Sequence, residues 1–426
     1  MSSDVGAGPW ERRGFLGAAL AGFAGLRARG ARAASPDLFA AGEPDWVTEA
    51  RAQIPATREL RYFQTGGIGV CPGRVIDRVK ELLDHQNRGP ADPRFSNALQ
   101  EAEDSCRPLV ARLCGADERE VGLTHNTTEG LNIVLWSIDW KPGDELLLGN
   151  HEHPALMMPS FNLHQRFGVV FRRAAVDVGE DVVANVLREL RPRTRLVAMS
   201  HVSRRNGRVI PARELAAALR RRSVRLLLDG AQAAGNVPVR FHDLGCDCYS
   251  LCGHKWLLGP KGTGAVLVRG ELLDRTPVTW TGAHGQLSAS SDEGRIEWYP
   301  SARRFEFGTR AQAGFGGFAE ALRWLDALGW ERIHGRVAEL SRRAGERVRS
   351  SKKFVLGSPA EDGARSGIVY VRLPEGTDPG RLYTRLAEQD RILVSPEPPR
   401  DLRVCLHFFN TPAEFDALLE RLDAYC

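Results

Sequence analysis

Among the charged side chains, lysine is the one this sequence nearly does without: six (80, 141, 255, 261, 352 and 353) against 52 arginines. Arginine stays protonated, so it serves anion and surface contacts but not amine chemistry. Lys80 sits in an amphipathic helical pattern, Lys141 in a Lys-Pro-Gly turn and Lys261 in a glycine turn, and Lys352-Lys353 opens a polar connection. Lys255 is the best placed for chemistry. A strong charge of one sign is missing as well. The net charge is +5, but the first 33 residues hold five Arg and two acidic residues. Without them 53 basic groups face 51 acidic ones, which gives no case for a nucleic-acid partner. There is no internal repeat and no low-complexity tract.

The amino terminus reads as an address. Glu11-Arg-Arg-Gly-Phe-Leu-Gly17 resembles a twin-arginine export signal, and the uncharged run Gly14 to Leu26 is too short to span a bilayer. Ala31-Arg-Ala33 offers a small-x-small cleavage site, so residues 1–33 are expected to leave and Ala34 to begin the mature chain. The twin-arginine translocase is then a transient partner, the periplasm the destination, and no membrane insertion remains in the mature form. A disordered or helical basic terminus is the alternative reading. Eight cysteines fit an oxidising compartment, yet Cys246, Cys248 and Cys252 match no common zinc spacing and lack a second ligand pair. They read as small packing residues, and no metal is expected.

Beyond the leader, Arg61 to Pro72 reads as a strand entering a turn, and helical patterns cover about Arg74–Gln86 and Asn97–Leu113. From Gly143 short apolar strands alternate with helical periods. The expected strands are Glu145–Leu148, Val169–Arg172, Leu196–Ser200, Arg225–Leu228, Cys248–Leu251 and Ala265–Val268, with helices at Val182–Arg191, Ala212–Arg222 and Gly316–Leu328. That alternation predicts a mainly parallel α/β sheet over residues 34–330. Residues 331–426 form a small α/β domain, with strands at Gly367–Leu373 and Arg403–Phe408.

Leu226-Leu-Leu-Asp-Gly-Ala-Gln232 is an apolar strand that delivers Asp229 to its carboxyl edge, where active groups of such sheets gather. Lys255 follows the apolar segment Cys246–Leu251. A lysine there can condense with an aldehyde, and a nearby carboxylate can keep a pyridine nitrogen protonated. Together they describe a site for pyridoxal 5′-phosphate (PLP). Thr124-His-Asn-Thr-Thr-Glu-Gly130 precedes the helical run Leu131–Ile138 and could meet a phosphate at a helix start, although Thr128 could equally be a helix cap. His153, just after a strand, could lay its imidazole on the pyridine face. Gln232 could reach the ring hydroxyl, and His254 could donate to phosphate with Cys252 close by.

Asn126-Thr-Thr-Glu-Gly-Leu-Asn132, Glu152-His-Pro-Ala155, Ser200-His-Val-Ser203, Asp229-Gly-Ala-Gln232 and Gly253-His-Lys-Trp-Leu257 occur in order. With these motifs the chain resembles the class V aminotransferase family of fold-type I PLP enzymes, which includes cysteine desulfurases, kynureninases and isopenicillin N epimerase-like proteins. The resemblance runs from Tyr62 to about Leu422. It implies a large domain with a mainly parallel, seven-stranded-type sheet and a small carboxyl-terminal domain. By it, Lys255 carries the coenzyme and serves as acid–base catalyst, Asp229 pairs with the ring nitrogen, Gln232 contacts the ring oxygen and His153 stacks. Thr127, Thr128 and His254 fall where the family binds phosphate. Thr309, in Phe305-Glu-Phe-Gly-Thr-Arg310, resembles the segment that completes a neighbouring subunit's phosphate site, which implies a homodimer. Arg403 matches the arginine that grips the substrate α-carboxylate.

Three departures narrow the reading. Cys252 stands where many relatives carry a phosphate-binding serine, and a thiol is the weaker donor. Arg204 stands where desulfurases carry asparagine. Val394-Ser-Pro-Glu-Pro-Pro-Arg400 lacks the cysteine a desulfurase needs, which disfavours that activity. The motif style is closest to isopenicillin N epimerase-like proteins and to periplasmic PLP enzymes that tailor the side chain of the siderophore pyoverdine. The expected substrate is thus an amino acid or a peptidyl, siderophore-type amino-acyl group. Transamination, epimerisation and β-elimination stay open, as does a PLP-binding protein without turnover. Arg204, Arg205 and Arg208 could offer a second anion site for a dicarboxylate or a glutamyl group, or form a solvated loop.

Overall fold

The computed structural model describes residues 41–426, so the export signal and its cleavage site lie outside the described residues. The first strand, β1 (Arg61–Tyr62), is followed by the strands of a seven-stranded sheet. These are β2 (Val121–Thr124), β3 (Glu145–Gly149), β4 (Val170–Ala174), β5 (Thr194–Ser200), β6 (Arg225–Asp229), β7 (Cys248–Cys252) and β8 (Gly264–Val268). Their spatial order is β2-β8-β7-β6-β5-β3-β4, and only β8 runs against its neighbours.

The strand period of two divides the core into two layers. Leu147, Val197, Met199, Leu226, Leu228 and Leu251 face one side and pack with helices Cys106–Cys114, Ala212–Arg220 and Gln312–Leu328. Leu146, Leu148, Leu196, Ala198, Leu227 and Val266 face the other and pack with helices Thr127–Trp136 and Pro154–Phe167. Covered on both faces, these strands are near-continuous apolar runs.

All six expected large-sheet strands form, and β2 is the seventh. It is four residues long and includes Gly122 and Thr124, so no apolar run marks it. The helical pattern Asn97–Leu113 resolves into two helices, Pro93–Asp104 and Cys106–Cys114, broken at Ser105. A hairpin of β9 (Gln286–Ser290) and β10 (Arg295–Trp298) stands largely exposed and has no core periodicity to betray it.

The carboxyl-terminal region holds β11 (Val355–Leu356), β12 (Ile368–Arg372), β13 (Ile392–Leu393), β14 (Ser395–Glu397) and β15 (Asp401–Cys405). Four of these make an antiparallel sheet ordered β11-β12-β15-β14, flanked by helices Trp330–Ser350, Pro379–Asp390 and Pro412–Tyr425. Residues 61–64, early in the chain, belong spatially to this region. β1 pairs parallel with β13, Gln64 bridges to Cys405, and Phe63 is buried in the small-domain core. All eight cysteines are free and six are buried, so they pack rather than cross-link. No helix among the described residues is long and apolar enough to cross a membrane.

Candidate active site

The parallel strands end at one edge, and the residues just beyond those ends surround a cavity of about 270 Å³. The end of β6 supplies Asp229 and the following turn Gln232; the end of β7 supplies Cys252, then His254 and Lys255. The turn after β3 brings His153, and the start of helix Thr127–Trp136 brings Thr127 and Thr128. Arg403 on β15 closes the wall from the small domain. Nine sequence-expected residues, separated by up to 276 positions (Thr127 to Arg403), thus meet in one place. Thr309, the tenth, does not line this cavity.

The Lys255 segment is held by a turn from the amino-terminal region. The Gly69 N–H donates to the His254 carbonyl at 2.7 Å, and a β-carbon on Gly69 would lie 2.1 Å from the Lys255 carbonyl oxygen. Only glycine admits that approach. Gln232 lines the cavity, but it is anchored: its amide donates to the Gly66 carbonyl at 2.7 Å and accepts from the Trp256 indole at 2.9 Å.

Asp229 is 4% exposed, and the one hydrogen bond to its carboxylate comes from the Ala231 N–H at 2.9 Å. Burial pushes its carboxyl pKa up, while the Lys255 ammonium opposes that rise. A buried carboxylate so thinly satisfied suits a cationic partner such as a protonated ring nitrogen. His153 accepts from the Ala155 N–H through Nδ1 at 3.0 Å, which assigns the proton to Nε2. Burial, then Lys255, Arg204 and Arg403, push its pKa down to about 4, so the ring is neutral and able to stack on an aromatic face.

At the opposite end the cap of helix Thr127–Trp136 is Asn126, whose side chain accepts from the Glu129 N–H at 3.0 Å. Thr128 is therefore not the cap. The His254 Nδ1 is buried without a partner, and the Thr127 hydroxyl lies by the Cys252 thiol without a well-formed hydrogen bond. Burial, Lys255 and Lys261 hold His254 neutral, with a pKa of about 4. Unspent donors at a helix start are the arrangement a phosphate needs. At the far wall, Arg403 is 6% exposed and donates to Ser395 Oγ at 3.0 Å.

Two participants carried no assignment in the sequence. Glu152, beside His153, is buried and accepts from the Ser200 N–H at 3.0 and 3.1 Å and from Ser200 Oγ at 2.7 Å. Burial pushes its carboxyl pKa up to about 8. Its place in the Glu152-His-Pro-Ala155 motif was the available signal. Glu397, from the Val394–Arg400 segment, contacts both Arg204 and Arg403 across a sequence gap that nothing local reveals.

The fold and this cavity define the class, a fold-type I PLP-dependent enzyme. Residues 61–396 match the family described as Aminotransferase class-V, and the chain belongs to that family. Isopenicillin N epimerase of Streptomyces clavuligerus is 31% identical over 396 residues, covering 89% of this chain and 98% of that protein. A cysteine desulfurase of Klebsiella pneumoniae (strain 342) is 31% identical over 402 residues, covering 88% and 97%. Among solved structures, the cystine C-S lyase C-DES in complex with its reaction product cysteine persulfide superposes with a TM-score of 0.82 at 28% identity, over 87% of this chain and 99% of that one. A mutant of the same lyase holds glycine covalently linked to the PLP cofactor, again with a TM-score of 0.82.

Proposed function

We propose that this chain acts at the α-carbon of an amino acid or amino-acyl group, in the manner of a transaminase or of isopenicillin N epimerase. One observation carries the reading: Lys255, Asp229 and Arg403, three charges of distinct use, converge on one cavity. When bound, PLP supplies an electron sink for the pair of electrons left at the α-carbon. Arg403 anchors the α-carboxylate and so fixes which substituent faces Lys255. The Lys255 amine would take and return the α-proton. Asp229 would keep a bound ring nitrogen cationic. The neutral His153 would cover the ring and exclude water there. Thr127, Thr128 and His254 would hold the phosphate.

The test is deuterium wash-in at the α-carbon, followed by mass spectrometry, across amino acids and peptides ending in an α-amino group. Exchange that disappears in Lys255→Ala is expected. A purified yellow enzyme that exchanges no α-proton with any of them would overturn the reading. Carbon–sulfur cleavage is the second reading, supported by the likeness to C-DES. It predicts sulfane release from cystine without reprotonation of the original amino acid. Sulfur transfer of the desulfurase kind is disfavoured because the Val394–Arg400 segment presents Glu397 and no thiol, though desulfurases stand among the relatives.

We also propose export by the twin-arginine pathway to the periplasm, on the Arg12-Arg13 pair and the uncharged run after it. Lysine at both positions should leave the chain in the cytoplasmic fraction. A homodimer follows if Thr309 completes a neighbour's phosphate site. Its segment is held at Glu306 by Arg107 and Arg310, which gives it a fixed presentation. Light scattering of the holoenzyme should give twice the chain mass.

A further inference from the structure

The arginines 204, 205 and 208 look alike in sequence but do different work in the fold. The Arg208 guanidinium donates to the backbone carbonyls of Asp177 and Glu180 and is committed there. Arg204 lines the cavity. Its Nη2 lies 2.9 Å from Glu397 Oε1 and 3.3 Å from Oε2, and the same Oε1 lies 3.4 Å from Arg403 Nη1. One carboxylate therefore stands between two guanidinium groups. The three side chains are 26%, 17% and 7% exposed for Arg204, Glu397 and Arg403.

The pair spans both domains, and each side is tethered. The Tyr370 hydroxyl donates to the Arg204 carbonyl at 3.0 Å, and Ser366 Oγ donates to the Gly207 carbonyl at 2.8 Å. Gly207 has φ +73°, and a β-carbon there would meet the Ile368 carbonyl oxygen at 2.2 Å, so this turn is locked onto β12. Glu397 pairs in register with Asp401 across β14 and β15. Glu397 is an internal carboxylate at fixed distance, so it outcompetes a free one at ordinary concentrations.

Resting on the PLP reading above, we infer that Glu397 sets substrate charge: it admits one carboxylate at this wall and rejects a second. Two guanidiniums and one carboxylate leave a single positive charge, matched by the α-carboxylate on Arg403. A side-chain carboxylate directed at Arg204 would meet Glu397 and would have to expel it from its contacts with both arginines. Rejection by a like charge is a common route to specificity. Neutral side chains meet no such barrier, and amide or ammonium groups can donate to Glu397. The substrate class is therefore an α-amino acid or amino-acyl group whose nearby side chain is neutral or cationic. A dicarboxylate, for which the arginine run alone could have offered a second anion site, is the class excluded.

Two ligand series test this on the purified holoenzyme. Glutamine against glutamate, and asparagine against aspartate, are titrated while the cofactor's visible absorption is followed. Butyrate against glutarate, which lack an amine, are titrated by thermal shift and need no reaction with the cofactor. The wild type should favour the member of each pair with a single carboxylate by about tenfold or more. Glu397→Gln should cut that preference at least tenfold, mainly by tightening the dicarboxylate ligands. Arg204→Gln combined with Glu397→Gln should lose the gain. An unchanged preference in Glu397→Gln, in either series, overturns the inference. If butyrate and glutarate behave as expected while the protein shows no cofactor absorption, the charge selection stands and the PLP reading falls.

Discussion

Two buried clusters of charge, one against the edge strand β2 and one in the cavity, are built in opposite ways. In one, Glu306 accepts from Arg107 Nε at 2.9 Å, from Arg310 Nη2 at 2.7 Å and from the Leu123 N–H at 2.9 Å, while Arg310 also meets Glu103. Every charge there has a protein partner. In the cavity, the Asp229 carboxylate has a single hydrogen bond and His254 Nδ1 has none. Burying a charge is tolerable only when something compensates it. The first cluster is compensated by the fold. The second is arranged for compensation by what binds, so the same physics yields a clamp in one place and a receptor in the other.

The comparison breaks most sharply under paired substitution. Asp229→Asn should lower turnover roughly a hundredfold or more, the scale of removing one preorganised charge contact. It should leave the unfolding temperature of the cofactor-free protein unchanged or higher, because a carboxylate whose pKa burial has raised is a cost in the empty site. Glu306→Ala should instead lower the unfolding temperature of the cofactor-free protein. Removing one partner leaves buried arginines short of charge, at about 3 kcal/mol, which denaturant unfolding would read. If both variants lost stability alike, the distinction between clamp and receptor would be wrong.

A pH series sharpens it. His201 and His407 are fully buried, and burial pushes each imidazole down to about 4 from 6.5. Between those values the unfolded chain binds more protons, so stability rises with pH there and is lost on acidification. Glu152 has the opposite sign: its folded carboxyl titrates near 8, against 4.5 when free, so stability falls as pH climbs between them. Unfolding temperatures should therefore drop below pH 6.5, and Glu152→Gln should flatten the decline on the alkaline side. The smallest effect is expected at the phosphate end. Cys252→Ser exchanges a weak donor for a stronger one, and should tighten PLP by about fivefold, the worth of roughly one net hydrogen bond. Equilibrium dialysis would measure it.

The proposed catalytic pair was legible because each residue ends or closely follows an apolar run. Leu226–Leu228 announces Asp229, and Cys246–Leu251 announces the segment before Lys255. The strand period likewise placed six of seven strands in the large sheet. β2 escaped because Gly122 and Thr124 interrupt a run of only four residues, whereas the strand expected from Arg61 does form, over Arg61–Tyr62. Glu152 was visible as a letter in a motif, but its task depends on Ser200, which a different strand supplies. The dicarboxylate reading of Arg204, Arg205 and Arg208 treated neighbours in sequence as neighbours in charge, and the fold sends Arg204 and Arg208 to different partners.

Local order along the chain was thus enough to pick out the groups of the proposed chemistry: an amine, an acid and an anion clamp, each tied to its own strand or helix end. What that order could not contain is the partnership of Glu397 with Arg204, 193 residues apart, or the entry of residues 61–64 into the small-domain sheet. Periodicity reports how a segment faces a core, because each residue's burial is decided within a turn or a pleat. Which charges confront each other across two domains is decided by packing between segments, and only the folded chain sets those distances.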